Sequence, residues 1–259
     1  MKDRVALVTG SSAGLGLAMA EALAREGCSL MLHGLEDPDA AEPQRAALAA
    51  CHGVRVRYRR ADLAMEGAAT QLVQDTLHEL GRVDVLVNNA VTRHFAGITE
   101  FPVEAWDRAL AVNLSAAFHA IRGVVPGMRQ RGWGRIVNMS SVYGARGTAQ
   151  RIDYVTTKTA LVGMTRAVAA ETLGQGITCN ALCPGAVLTP TSQARIEALM
   201  QQTGLDHEAA TQRFLVGKNP TQRFVDAAHV GALLVFVCGD AAQDITGAVL
   251  PMEGGWLAL

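Results

Sequence analysis

Tyr154 and Lys158 stand four residues apart at the start of a long apolar-rich run, a spacing that puts both side chains on one face of a helix, where they can act together. A phenol titrates near pH 10 in isolation, and an adjacent ammonium stabilises its phenolate, so such a pair can exchange a proton with a substrate near neutrality. Bringing the phenol to about pH 7 takes roughly 4 kcal/mol of differential stabilisation, a load two nearby cations can carry in a partly dry site. Tyr-x-x-x-Lys arises often by chance, so its weight depends on its neighbours. Ser141 lies thirteen residues before Tyr154 at the end of a strand-like run, and Asn113 sits inside the apolar stretch Val112-Asn113-Leu114. A buried Asn needs hydrogen-bond partners.

A second motif could hold phosphate. Thr9-Gly10-Ser11-Ser12-Ala13-Gly14-Leu15-Gly16 follows the first strand-like run and opens the first helix. Glycines permit the tight turn and the close approach of main-chain N–H groups, and a helix N-terminus offers partial positive charge to a pyrophosphate. The plain alternative is a glycine-rich turn without a ligand. At the end of the second strand, where an acid holds ribose hydroxyls or a cation holds a 2′-phosphate, His33-Gly34-Leu35-Glu36 presents neither squarely. The glycine turn carries no Arg or Lys, and Glu36 and Asp37 would repel an extra dianion, so NAD is expected in preference to NADP. His33 reads equally well as an ordinary strand-end residue.

The elements that must position these groups alternate. Strands are expected at Val5–Thr9, Ser29–His33, Val54–Tyr58, Val83–Val87, Arg135–Met139, Ile177–Leu182 and Ala248–Pro251. Helices are expected near Leu15–Glu26, Asp39–Cys51, Ala68–Leu80, Val103–Arg131, Tyr154–Leu173 and Ala227–Cys238. Strands joined by crossover helices predict an α/β fold, a Rossmann-like doubly wound parallel sheet of seven strands with helices on both faces. Two long connections shape the site end, Ser141–Asp153 and Thr189–Lys218, the second with helical periodicity in Arg195–Gln202 and His207–Phe214 that suggests a small helical lid. Without a linker or repeat, residues 1–259 are expected to form one dinucleotide-binding and catalytic domain.

Composition bounds the partners. Hydrophobic residues are 49% and charged residues 18% of the chain, enough for a large core, and the formal charge of −1 argues against a nucleic-acid footprint. The odd number of cysteines, Cys28, Cys51, Cys179, Cys183 and Cys238, shows no metal spacing and reads as reduced thiols of a cytoplasmic protein. Val5 follows Met1 too closely for a signal peptide's apolar region, and no apolar stretch is expected to reach transmembrane length.

The order of these motifs resembles the short-chain dehydrogenase/reductase family. The resemblance runs through T-G-x-x-x-G-x-G at Gly10, Gly14 and Gly16, Asp62-Leu63, Asn88-Asn89-Ala90, Asn113, Ser141, Tyr154-x-x-x-Lys158 and Pro184-Gly185-x-x-x-Thr189. It implies a nicotinamide-dependent oxidoreductase without a metal. Tyr154 would be the acid/base, and Lys158 would bind the cofactor ribose and lower the Tyr pKa. Ser141 would orient the substrate oxygen, and Asn113 would help hold a relay water. It further implies cofactor contacts from Gly10, Ser12, Gly14, Leu15, Gly16, Leu35, Asp62, Leu63, Asn89, Ala90, Tyr154, Lys158, Pro184, Gly185, Val187 and Thr189, with Asp62 at the adenine and Thr189 at the nicotinamide amide, and assembly as a homotetramer. Val91 and Gly34 depart from the family, which usually has Gly at the first position and often Asp at the second. Val91 is expected to alter its loop, because a β-branched residue disfavours positive φ.

Phe101-Pro102-Val103-Glu104-x-Trp106-Asp107, Gly132-Trp133-Gly134-Arg135-Ile136, Gly176-Ile177-Thr178-Cys179-Asn180-Ala181 and Ile245-Thr246-Gly247 are similar to the D-3-hydroxybutyrate dehydrogenase branch. Where that branch grips a carboxylate with a Gln, a His, a Lys and a second Gln, this chain has Arg93, Tyr143, Arg151 and Gln193, and Ala186 replaces a large aromatic residue. Two arginines still suit a carboxylate, so a small anionic substrate, a 3-hydroxy acid or related carboxylate larger than 3-hydroxybutyrate, is expected. The lid would deliver Gln193, and His94 and Met200 are read as pocket-lining or packing residues. Alternatives are a 3-oxoacyl thioester, sugar or cyclic alcohol as substrate, or a non-catalytic dinucleotide sensor, since fold alone does not dictate chemistry.

Overall fold

A strand covered by helices on both faces must be apolar throughout, and Val5–Val8 (β1) is buried along its whole length. The computed structural model describes all 259 residues. After β1 the chain alternates as expected through α1 (Gly14–Arg25), β2 (Ser29–Gly34), α2 (Pro38–His52), β3 (Val56–Arg60), α3 (Ala68–Leu80) and β4 (Val85–Asn88). It continues through α4 (Val103–Leu110), α5 (Ala116–Arg131), β5 (Gly134–Met139), α6 (Ile152–Glu171) and β6 (Ile177–Pro184). The chain closes with α7 (Pro190–Thr203), α8 (His207–Leu215), α9 (Ala227–Cys238) and β7 (Val249–Met252). The seven strands form one parallel sheet in the order β3-β2-β1-β4-β5-β6-β7. The order reverses between β1 and β4, so the crevice for a ligand opens beyond the carboxyl ends of those strands.

Each sheet face carries its own core. Met19, Leu23, Val230 and Leu234 from α1 and α9 pack on one face, and Leu72, Val73, Ile121, Val124 and Met128 from α3 and α5 on the other. Gly231 lets α9 lie directly on α1, because a Cβ there would sit 2.9 Å from the Ala22 methyl. Some expected boundaries move. β3 begins at Val56, the first fully buried residue after the left-handed Gly53 that ends α2, and the half-buried Val54 falls outside it. α6 begins at Ile152, which places Tyr154 in its first turn.

The helix expected over Val103–Arg131 is interrupted. Ala111–Ser115 forms one wide π turn, closed by the Ala116 N–H donating to the Ala111 carbonyl. The whole run, Val103–Arg131, is long and apolar enough to cross a membrane by length and composition, which corrects the expectation that no stretch reaches that length. Here its apolar face, including Ala116, Ala120, Ile121, Val124 and Met128, is packed in the second core. α7 starts five residues before the expected Arg195, because Pro190 occupies its first turn and Thr189 and Ser192 cap it reciprocally. α7 and α8 pack on each other over the cleft end of the sheet.

The opposite end of the sheet is held by charge. Asp84 is fully buried, accepts the Val5 N–H at 2.9 Å, and faces Arg82 at 2.6 Å, Arg131 at 3.3 Å and Arg4 at 3.9 Å. Removing one partner of such a network strands the others. Asp84→Ala is expected to cost about 3 kcal/mol of unfolding free energy in a urea titration while leaving the dinucleotide dissociation constant within twofold of wild type. Loss of binding at unchanged stability would be the contrary result.

Candidate active site

The glycine turn is built on Thr9 and Asn89. The Thr9 hydroxyl accepts the N–H groups of Asn89 (2.9 Å) and Ala90 (3.0 Å), and the Asn89 amide donates to the carbonyls of Thr9 (3.0 Å) and Gly10 (2.8 Å). A Cβ at Gly16 would collide with the Gly10 carbonyl, and Gly10, at φ +62°, would bring a Cβ to 2.9 Å from the Ala90 Cα. At the start of α1, Ala13 offers no side-chain cap and the first turn holds no acid. Its N–H groups are left for an external anion, so the turn fits a dinucleotide's diphosphate.

His33 is part of this turn. Buried to 3% exposure, it accepts the Gly10 N–H on Nδ1 at 2.9 Å and donates from Nε2 to the Ala61 carbonyl at 3.0 Å. That pattern requires the neutral Nε2–H tautomer, and burial pushes the imidazole below its ordinary pKa despite the Ala61 carbonyl and the charges of Glu36 and Asp62. Beside it, Gly34 makes room for Glu36. The Glu36 carboxylate folds into the space a Cβ at position 34 would occupy, receiving hydrogen bonds from Ser12 and, at 3.4 Å, from the Tyr58 hydroxyl. Burial raises its pKa, but these bonds and those of its own main chain and of Leu35 outweigh it and hold the carboxyl low.

The acid/base pair lies where β5 delivers Ser141 and α6 delivers Tyr154 and Lys158. Lys158 is 3% exposed, and its ammonium donates to the Met139 carbonyl at 2.5 Å and lies 5.5 Å from the Tyr154 ring centroid. Burial raises the Tyr154 pKa, but Lys158, then Arg93, the Ser141 hydroxyl and Arg151 outweigh it, and the phenol falls below its ordinary value. Burial likewise lowers Lys158, with Tyr154 opposing. Asp153, fully buried, accepts the N–H groups of Tyr154 (2.6 Å) and His94 (2.8 Å), which ties the Arg93 loop to the start of α6 and sets Arg93 5.4 Å from the Tyr154 ring centroid.

A cavity of about 420 Å³ joins the two motifs. Its walls include Gly10, Gly14, Leu15, Gly16, Asn89, Ala90, Arg93, Ser141, Tyr143, Arg151, Tyr154, Lys158, Pro184, Gly185, Val187 and Thr189. It also takes in Arg195, Phe214, Lys218 and Trp256, none of which the sequence pointed to as site residues. Val91 lines it and adopts no positive φ, in keeping with its β-branched side chain.

Other expected residues lie elsewhere. Gln193 points away, its amide paired with Glu197 at 3.0 Å and near His207 at 3.5 Å, because the capping box sets the α7 face that it occupies. The Asn113 amide is spent on the Thr92 main chain (2.8 and 2.9 Å) and the Thr157 hydroxyl (3.2 Å). Ser12, Leu35, Asp62, Leu63, His94 and Met200 are outside the cavity wall. Asp62 caps the Ala64 N–H and pairs with Arg108, Leu35 is exposed, and Leu63 is in the core.

His33→Phe strands the Gly10 N–H and the Ala61 carbonyl, at about 1–3 kcal/mol for each group left without a partner. Because the folded pKa is depressed, the wild-type contribution stands above the ordinary value of 6.5 and is lost as pH falls toward the folded one. The variant is expected to bind dinucleotide more weakly and to lose this acid-side slope in stability. Unchanged binding and an unchanged slope in urea titrations across pH would show His33 to be a spectator.

The comparisons with known proteins agree with this geometry. The short chain dehydrogenase model matches residues 4–199. D-beta-hydroxybutyrate dehydrogenases of Cupriavidus necator and Rhizobium meliloti are 42% and 36% identical, over 100% and 98% of this chain and 99% of each of theirs. The structure of L-sorbose reductase from Gluconobacter frateurii, complexed with NADPH and L-sorbose, matches with a TM-score of 0.95 at 31% identity over 100% of this chain and 98% of that one. An NAD+-bound xylitol dehydrogenase matches at 0.86 and 30% identity over 98% and 99%. The chain therefore belongs to the short-chain dehydrogenase/reductase family, oxidoreductases that act on the CH–OH group of their substrates with a nicotinamide dinucleotide.

Proposed function

We propose that this enzyme interconverts a 3-hydroxy acid and its 3-oxo acid, with NAD in preference to NADP. One observation carries the substrate class. Arg151 is only 9% exposed, its Nε has no partner, and its guanidinium lies 4.5 Å from the ring centroid of Tyr154, in a cavity to which no Asp or Glu contributes. Burying an uncompensated cation costs several kcal/mol, and a substrate carboxylate placed beside the reacting carbon would offset it. The relatives named as D-beta-hydroxybutyrate dehydrogenases support the same class.

A bound nicotinamide ring supplies or accepts the hydride. Tyr154 takes the hydroxyl proton of the alcohol as the carbonyl forms, and returns it in the reverse reaction. Lys158 holds the phenolate by charge, Ser141 fixes the substrate oxygen, and Arg151 with Arg93 fixes the carboxylate. The Asn113 main-chain carbonyl would hold the water through which the Lys158 proton reaches solvent. Preference for NAD rests on Glu36, whose carboxylate, set against Ser12 of the glycine turn, would repel a 2′-phosphate. Phe118 on α5 and Phe236 on α9 remain 50% exposed on outer helices, which with the family's habit supports a homotetramer.

A panel of 3-hydroxy acids and neutral alcohols with NAD and NADP, followed by absorbance of the reduced nicotinamide, tests the assignment. Acids with NAD are expected to be preferred, and Arg151→Ala is expected to raise KM for acids about 10-fold or more with a smaller effect on neutral alcohols. Inert acids, or acid turnover that survives Arg151→Ala unchanged, would sink the carboxylate assignment. Oxidation requires the phenolate, so kcat/KM should rise with pH to a plateau reached below the ordinary phenol value of 10.0. Arg93→Gln, which removes one of the lowering charges, should move that limb upward, and a limb that stays in place would count against the electrostatic account.

A further inference from the structure

Outward from Tyr154, cations and aromatic rings alternate. The Arg151 guanidinium lies 4.5 Å from the Tyr154 ring centroid and 4.3 Å from that of Phe95. The Arg195 guanidinium, from α7, lies 5.2 Å from Phe95 and 5.4 Å from Phe214, and Lys218 Nζ lies 3.6 Å from Phe214. Ring faces attract cations by about 0.5–2 kcal/mol but do not neutralise them. No Asp or Glu lines the cavity, and Arg151, Arg195 and Lys218 take part in none of the ion pairs of the fold. A single carboxylate at Arg151 leaves the outer two cations unanswered.

We infer that Arg195 and Lys218 form a second anion site, and that the substrate is a hydroxy acid carrying another carboxylate at its far end. The inference rests on the 3-hydroxy acid reading above. Lys218 is half-buried and donates to the Phe214 carbonyl at 2.7 Å, which leaves two of its three donors for a ligand. Burial and the charges of Arg195 and Arg151 push its pKa down to about 8, a penalty that an anion bound between them would relieve. Arg151 and Arg195 both lie against Phe95, so a short aliphatic acid can reach from one cation to the other. The small side chain of Ala186, which also lines the cavity, leaves width for it.

The test compares 3-hydroxyhexanoate with 3-hydroxyhexanedioate, which differ only in the terminal carboxylate. The wild type is expected to favour the diacid by about 10-fold or more in kcat/KM. In the double variant Arg195→Gln/Lys218→Met the diacid-to-monoacid ratio should fall to near one, and Lys218→Arg should retain it. Equal turnover of both acids by the wild type, or a ratio unchanged in the double variant, overturns the second site and leaves the acid reading standing. Inert acids with active neutral alcohols overturn both. If the double variant instead weakens NAD binding, measured by fluorescence quenching, and leaves the ratio intact, the two cations serve the cofactor diphosphate and the inference fails.

Discussion

A lysine ammonium held out of water beneath a phenol is the constraint on which this molecule turns. Lys158 has a main-chain carbonyl, that of Met139, as its direct hydrogen-bond partner and the Tyr154 ring above it. Burial lowers its pKa, and the neighbouring phenol, as it ionises, favours keeping it charged. The two groups therefore titrate as a pair, each favouring the other's charged form. Displacing either by one helical turn would leave a buried cation without its phenol and take from the phenol the largest of the charges that lower its pKa.

The fold meets that constraint by making α6 polar on the side that faces the sheet. Asp153, Thr157, Lys158 and Thr165 are all buried, the reverse of what an amphipathic helix normally shows. Each is answered. Asp153 takes the N–H groups at the start of the helix and of the Arg93 loop, Thr157 takes the Asn113 amide, and Thr165 takes the Asn138 amide, which in turn accepts from Asn88. Such a chain of satisfied donors tolerates no slippage, because any shift would leave buried polar groups unpaired. The register of α6 on β5, and with it the place of the phenol, is fixed by hydrogen bonds more than by apolar packing.

Those hydrogen bonds also explain what could be read from the chain and what could not. Fully apolar strands and glycine turns carry local signals, and the architecture and the Ser141, Tyr154 and Lys158 positions were legible from them. The π turn at Ala111–Ser115 contains neither Pro nor Gly; it lies where Asn113 reaches Thr92 and Thr157, contacts made far along the chain. His33 looked like a strand end because its partners, Gly10 and Ala61, belong to two other loops. Gln193 was assigned by correspondence, but the capping box that starts α7 at Pro190 turns it outward. The pairing of Arg195 and Lys218 likewise depends on how α7 and α8 pack.

The two ends of the sheet treat positive charge in opposite ways. At the amino ends of the strands three arginines converge on the carboxylate of Asp84, so the fold itself supplies their counter-charge and the result is structural. At the carboxyl ends Arg93, Arg151, Lys158, Arg195 and Lys218 line one cavity with no carboxylate among them. Cation–π contacts soften this imbalance but cannot remove it, and stability alone would favour replacing some of these side chains with apolar ones. A protein that retains them has traded stability for a field that acts on something from outside the chain. Lys158, Arg93 and Arg151 lower the phenol, and in the function proposed above the arginines also attract the substrate's anion, so catalysis and substrate choice would draw on one set of charges.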